Sequence, residues 1–90
     1  MADRTTLKER AWAEIDAHRS QLEAVALRIL AHPELGYAEV QASGWLGELL
    51  GMHGFEVEQP FGGLATAFRA RCGGERRPQL AFLAEYDALP

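Results

Sequence analysis

Leu80-Ala81-Phe82-Leu83-Ala84-Glu85-Tyr86-Asp87-Ala88-Leu89-Pro90 is an apolar run that ends in two carboxylates and a proline. Apolar residues in unbroken succession, without alternation, are the pattern of a strand covered on both faces, which is the central position of an α/β sheet. In open α/β sheets ligands collect in the crevice outside the carboxyl ends of the strands. The stretch therefore predicts a fold class and also where a site would lie. Glu85 and Asp87 are two apart, so both side chains point to the same side of an extended chain.

Upstream of this run the period is two. Phe55 and Val57 alternate with Glu56 and Glu58, and Phe68, Ala70 and Cys72 alternate with Arg69 and Arg71, each a half-buried strand pattern. Gly62-Gly63 separates these two strands. Gly73-Gly74-Glu75-Arg76-Arg77-Pro78 is a loop, and its shortness predicts that the second and third strands are antiparallel neighbours.

Further back the period is helical. Leu7, Ala11, Ile15, Leu22, Val25, Ala26, Ile29 and Leu30 fall on one face of a single long amphipathic helix. Thr6 and Glu9 have the spacing of a capping box at its start, and Pro33 ends it by disfavouring helical geometry at His32. After the turn His32-Pro33-Glu34-Leu35-Gly36-Tyr37, a second helix follows from Val40, Trp45, Leu46, Leu49 and Leu50, stopped by Gly51 or Gly54. Gly44 and Gly47 inside it each cost about 1 kcal/mol relative to alanine, which points to a face approached closely by another backbone.

The order is two N-terminal helices followed by three strands, an α/β arrangement. Two helices cover one sheet face, whereas the last strand calls for cover on both. Residues 1–90 are accordingly expected to be the incomplete opening part of a larger α/β domain, with no repeat, low-complexity tract or linker among them.

Composition narrows the partners. Apolar content of 48% with 24% charged residues is that of a globular chain, not a disordered one. A net charge of -4 gives no electrostatic basis for binding nucleic acid or an anionic membrane, and Arg76-Arg77 is too short for a basic patch. The single cysteine, Cys72, cannot form an internal disulfide, so a reducing, cytoplasmic setting is expected. Met1 to Thr6 is polar, without the apolar core of a signal peptide, and no run is long enough to span a bilayer.

Several side chains can carry chemistry. The Glu85 and Asp87 carboxylates can bind a divalent metal, orient a ligating histidine or share a proton, and they can equally be solvated turn formers before Pro90. His18 lies within the first helix, while His32 and His53 close helices, where an imidazole meets terminal carbonyls favourably. No two of the three have zinc-site spacing. Cys72 is expected as a small buried apolar residue, and Trp12 and Trp45 as packing aromatics.

Taken together, His32-Pro33-Glu34-Leu35-Gly36-Tyr37, the Trp45 to Phe55 stretch, Gly63-Leu64-Ala65-Thr66-Ala67-Phe68 and Ala84-Glu85-Tyr86-Asp87-Ala88-Leu89-Pro90 resemble the N-terminal part of the M20 metallopeptidase family. The likeness is to its amidohydrolase branch of aminoacylases, aminobenzoyl-glutamate hydrolases and dipeptidase-like proteins. It implies the opening of a zinc-peptidase-like α/β catalytic domain in a homodimeric enzyme that holds two divalent ions, zinc or manganese. The implied reaction is hydrolysis of an amide bond in an N-acyl amino acid, aminobenzoyl-glutamate or dipeptide-like substrate by a metal-bound water. Asp87 matches the aspartate that orients a ligating histidine. In many peptidases of the family a metal-binding histidine stands two residues before that aspartate. Here the position is Glu85, as in the amidohydrolase branch, which draws ligands from a Cys-Gly-His segment further along. The resemblance thus implies that residues 1–90 alone hold no metal and are inactive. The competing expectation is a small non-catalytic α/β binding or interaction module, which buries its uncovered sheet face against a partner.

Overall fold

A computed structural model of the chain describes residues 3–90. Its elements are α1 (Arg4–Ala17), α2 (Arg19–Ala31), α3 (Val40–Met52), β1 (Glu56–Glu58) and β2 (Arg69–Arg71). The fold is a small mixed α/β arrangement of three helices and a two-stranded antiparallel sheet, not the two helices and three strands that periodicity predicts.

The predicted long helix is broken at His18, which leaves helical geometry with φ −106° and ψ 9°. Its ring Nδ1 lies 2.8 Å from the Glu14 carbonyl, which also receives the His18 main-chain N–H at 3.2 Å. A side chain inserted into the i→i−4 ladder is one of the few causes of a sharp helix break. The apolar stripe runs on through the break, so its spacing does not reveal it. The start also differs from the Thr6–Glu9 box. Asp3 is the N-cap and its Oδ1 accepts the Thr6 N–H at 2.8 Å, a bond that holds the Asp3 carboxyl below its ordinary 3.8.

At the other helix ends the sequence signals hold. His32 closes α2 with Nδ1 3.0 Å from the Arg28 carbonyl. After α3, Gly54 takes φ 88°, its N–H donating to Gly51 and that of Phe55 to Leu50, both at 3.1 Å. These are the paired bonds of a Schellman motif, and Gly54 rather than Gly51 is the left-handed residue.

β1 and β2 pair with Glu56 opposite Arg71, Val57 opposite Ala70 and Glu58 opposite Arg69. Gly62 and Gly63, at φ 63° and 76°, make the tight reversal between them, with the Leu64 N–H donating to the Phe61 carbonyl at 3.1 Å. The antiparallel neighbours are thus the first and second predicted strands. The third, 80–84, forms no strand and pairs with none, with Leu80 81%, Phe82 91% and Leu83 99% exposed. An all-apolar run signals a need for neighbours on both sides and both faces, and the described residues do not supply them.

α3 packs on both strands and on α2. Ala42 is the buried apolar residue at this junction, beside buried Ser43 and Gly47. At Gly47 the close neighbour is a side chain rather than the backbone predicted for the α3 glycines: the Gln59 side-chain amide lies 2.5 Å from the position a Cβ would take. Gln59 Nε2 donates from there to the Ser43 carbonyl at 2.8 Å and to its hydroxyl at 3.1 Å. Gly44 faces open space. Trp45 is half-buried under the Arg28 guanidinium, 4.5 Å from the ring centre. Trp12 and Cys72, expected to pack, are exposed, and α1 has no buried residue. The radius of gyration, 15.1 Å, exceeds the roughly 13 Å of a compact 100-residue domain, consistent with an α1 that lies outside the core.

Candidate active-site cleft

The segment carrying Glu85 and Asp87 is positioned by the turn between α2 and α3. The Ala88 N–H donates to the Glu34 carbonyl at 2.7 Å, and Leu35 and Ala88 form a parallel bridge. Around Asp87 the extended geometry persists: Tyr86 and Ala88 are half-buried while Glu85 and Asp87 are exposed, the alternation of a strand. Both carboxylates therefore share one side, as their spacing predicts.

The turn itself is held by the Glu34 side chain. Its Oε2 accepts the Gln41 N–H and its Oε1 the Ala42 N–H, each at 2.9 Å, satisfying two orphan donors at the start of α3. These main-chain bonds hold the Glu34 carboxyl below its ordinary 4.5. Glu39, the residue at the cap position, makes no side-chain cap bond. Within the turn the Ala38 N–H donates to the Leu35 carbonyl at 2.9 Å, and Tyr37 takes φ 67°. A left-handed conformation costs a side-chain-bearing residue about 1 kcal/mol or more.

Between the turn and the end segment is an open cleft of about 390 Å³, lined by Gly36, Tyr37, Glu39, Thr66, Glu85 and Asp87 among others. Gly36 borders Asp87, a Cβ there falling at an ordinary contact distance of 3.8 Å from its Oδ2. On the facing wall buried Thr66 donates from its hydroxyl to Glu39 Oε1 at 3.0 Å. The Thr66 carbonyl accepts the Tyr86 hydroxyl, and the Tyr86 ring stacks on Phe68 with centroids 5.9 Å apart. Three segments distant in sequence thus meet around the carboxylates.

The histidines and the cysteine do not join them. His18 and His53 meet edge to face at 4.8 Å, with His53 Nε2 2.7 Å from the Gln21 side-chain oxygen. His32 lies against Trp45, and Cys72 sits beside Glu56 and Arg71 in a smaller pocket of about 190 Å³. Among the described residues no three histidine, cysteine, aspartate or glutamate side chains converge as a metal-ligand set, although Glu39, Glu85 and Asp87 line one cleft. The donors present do not fit a metal centre. Glu34, Glu39 and Thr66 escape sequence reasoning, because their partners lie seven to twenty-seven residues away with no periodic signal.

A chain with this arrangement is similar along most of its length to short segments of a dipeptidase and of a hydrolase subunit. It is 41% identical to the Xaa-Arg dipeptidase of Mus musculus over 103 residues, an alignment covering 99% of this chain and 23% of that protein. To one of the subunits of the p-aminobenzoyl-glutamate hydrolase of Escherichia coli (strain K12) it is 36% identical over 75 residues, 83% of this chain and 15% of that one. The chain thus spans less than a quarter of the length of these relatives. No family model and no solved structure matches it.

Proposed function

We propose that these residues are part of a metal-dependent amidohydrolase or peptidase that hydrolyses the amide bond of a small dipeptide-like or N-acyl amino-acid substrate. The observation that carries this is likeness along nearly the whole chain to a dipeptidase and, over most of it, to a polypeptide of an aminobenzoyl-glutamate hydrolase. Asp87 is the residue assigned a catalytic part, as an orienting carboxylate. Asp87 is exposed at the cleft edge, where a carboxylate would be free to accept a hydrogen bond from an imidazole N–H and fix its ring. Tyr37, Thr66 and Glu39 form walls of the cleft rather than reacting groups.

As the likeness to these hydrolases implies, the 90-residue chain by itself is proposed to be inactive and the two metal ions to be held by other residues. A homodimeric, cytoplasmic enzyme belongs to the same proposal, and the free Cys72 is compatible with a reducing compartment. The test is hydrolysis of Xaa-Arg dipeptides and of p-aminobenzoyl-glutamate by the protein that carries these residues. Metal-dependent turnover of either supports the proposal. Turnover of neither, or turnover by purified residues 1–90, contradicts it.

A further inference from the structure

We propose that Glu34 is the positioning residue for Asp87, coupling the N-terminus of α3 to the segment that bears the cleft carboxylates. Its two polar ends act in opposite directions. The side chain binds the Gln41 and Ala42 amides at 2.9 Å, while its main-chain carbonyl receives the Ala88 N–H at 2.7 Å. Ala42, the residue gripped by Oε1, is 1% exposed and lies where α3 meets the core. Glu34 is thereby referenced to the most buried point of the fold.

The far end of the coupling needs such an anchor. Residues 80–84 pair with no strand, and the apolar side chains Leu80, Phe82 and Leu83 are exposed. Among the described residues, this segment is held at long range by the Tyr86 hydroxyl on the Thr66 carbonyl and by the Leu35–Ala88 bridge, in which the Ala88 N–H donates to the Glu34 carbonyl. Asp87 stands between them. Gly36, two residues after Glu34, lies beside the Asp87 carboxylate, a Cβ there falling 3.8 Å from its Oδ2, an ordinary contact distance. Release of the Glu34 side chain frees the turn, and the turn carries the carbonyl that fixes Ala88.

The functional meaning of this coupling rests on the assignment of Asp87, but the coupling does not. Amide hydrogen exchange and NMR on the 90-residue chain test it with Glu34→Ala, Glu34→Gln and Tyr86→Phe. In Glu34→Ala, the Gln41, Ala42 and Ala88 amides are expected to exchange several-fold faster together, with a shift of the Asp87 carboxyl carbon. Glu34→Gln keeps one acceptor oxygen and is expected to restore part of the protection at both ends. Tyr86→Phe is expected to alter Ala88 without touching Gln41 or Ala42. A residue that merely caps α3 gives the opposite pattern, with Gln41 and Ala42 deprotected and Ala88 and Asp87 unchanged, and that result overturns the proposal. Should Glu34→Ala fail to fold, Glu34→Gln decides: joint change at both ends supports coupling, and change at Gln41 or Ala42 alone overturns it. No turnover is measured, so failure of the enzymatic assignment leaves this result standing, and the reverse also holds.

Discussion

The Thr66 hydroxyl donates to the Glu39 carboxylate at 3.0 Å, joining the residue before α3 to the segment that enters β2. Thr66 is 8% exposed, so deletion of its hydroxyl leaves a partly enclosed carboxylate without its donor. Thr66→Val is expected to lower stability by about 1–2 kcal/mol, read from urea unfolding, and Thr66→Ser to restore most of it. Equal midpoints for Thr66→Val and the parent chain would remove this bond from the account.

The α3 glycines give a paired prediction with opposite signs. Gly44 faces open space, so Gly44→Ala is expected to stabilise by about 1 kcal/mol through helix propensity. At Gly47 a Cβ meets the Gln59 amide at 2.5 Å and drives it from both Ser43 acceptors. The propensity gain is then outweighed by two lost bonds of about 1 kcal/mol each. Thermal unfolding of the two variants side by side checks the order: Gly44→Ala above the parent, Gly47→Ala below it.

Stability is expected to fall with acid in a way that depends on Glu34. Its carboxyl is held below 4.5 in the folded chain by the Gln41 and Ala42 amides. A depressed folded value means that its contribution is fully present above 4.5 and is lost as pH falls through the folded value. Asp3, held below 3.8 by Thr6, adds a second loss of the same sign at lower pH. Urea midpoints measured from neutral to acid pH are expected to drop for the parent chain and to drop less in Glu34→Gln, where the Asp3 loss remains.

Much of this architecture is legible in the sequence, in proportion to how local its causes are. Pro33 after His32 marks the end of α2, the 3.6 period gives α3, a glycine at 51 or 54 its stop, and alternation the two strands on either side of Gly62-Gly63, though not their pairing with each other. The break at His18 is hidden because an imidazole bond to the Glu14 carbonyl leaves the apolar spacing unchanged. The Leu80 to Ala84 run reports that it needs neighbours and says nothing of whether they are near. Glu34 caps α3 from seven and eight residues away, through a turn whose path only the folded chain reveals. Asp87 is singled out by the motif it sits in, and its part stays a proposal; the Glu34 and Thr66 contacts near it carry no sequence signal at all.

Replacement of Asp87 in the protein that carries these residues is the most direct measurement of the central proposal. In the protein that carries these residues, Asp87→Asn is expected to reduce hydrolysis of an Xaa-Arg dipeptide or of p-aminobenzoyl-glutamate by roughly 10- to 100-fold, the usual effect of losing a carboxylate that orients a ligating histidine. Asp87→Glu is expected to recover part of the rate, and Glu85→Gln to change it little. Full activity in Asp87→Asn would contradict the account.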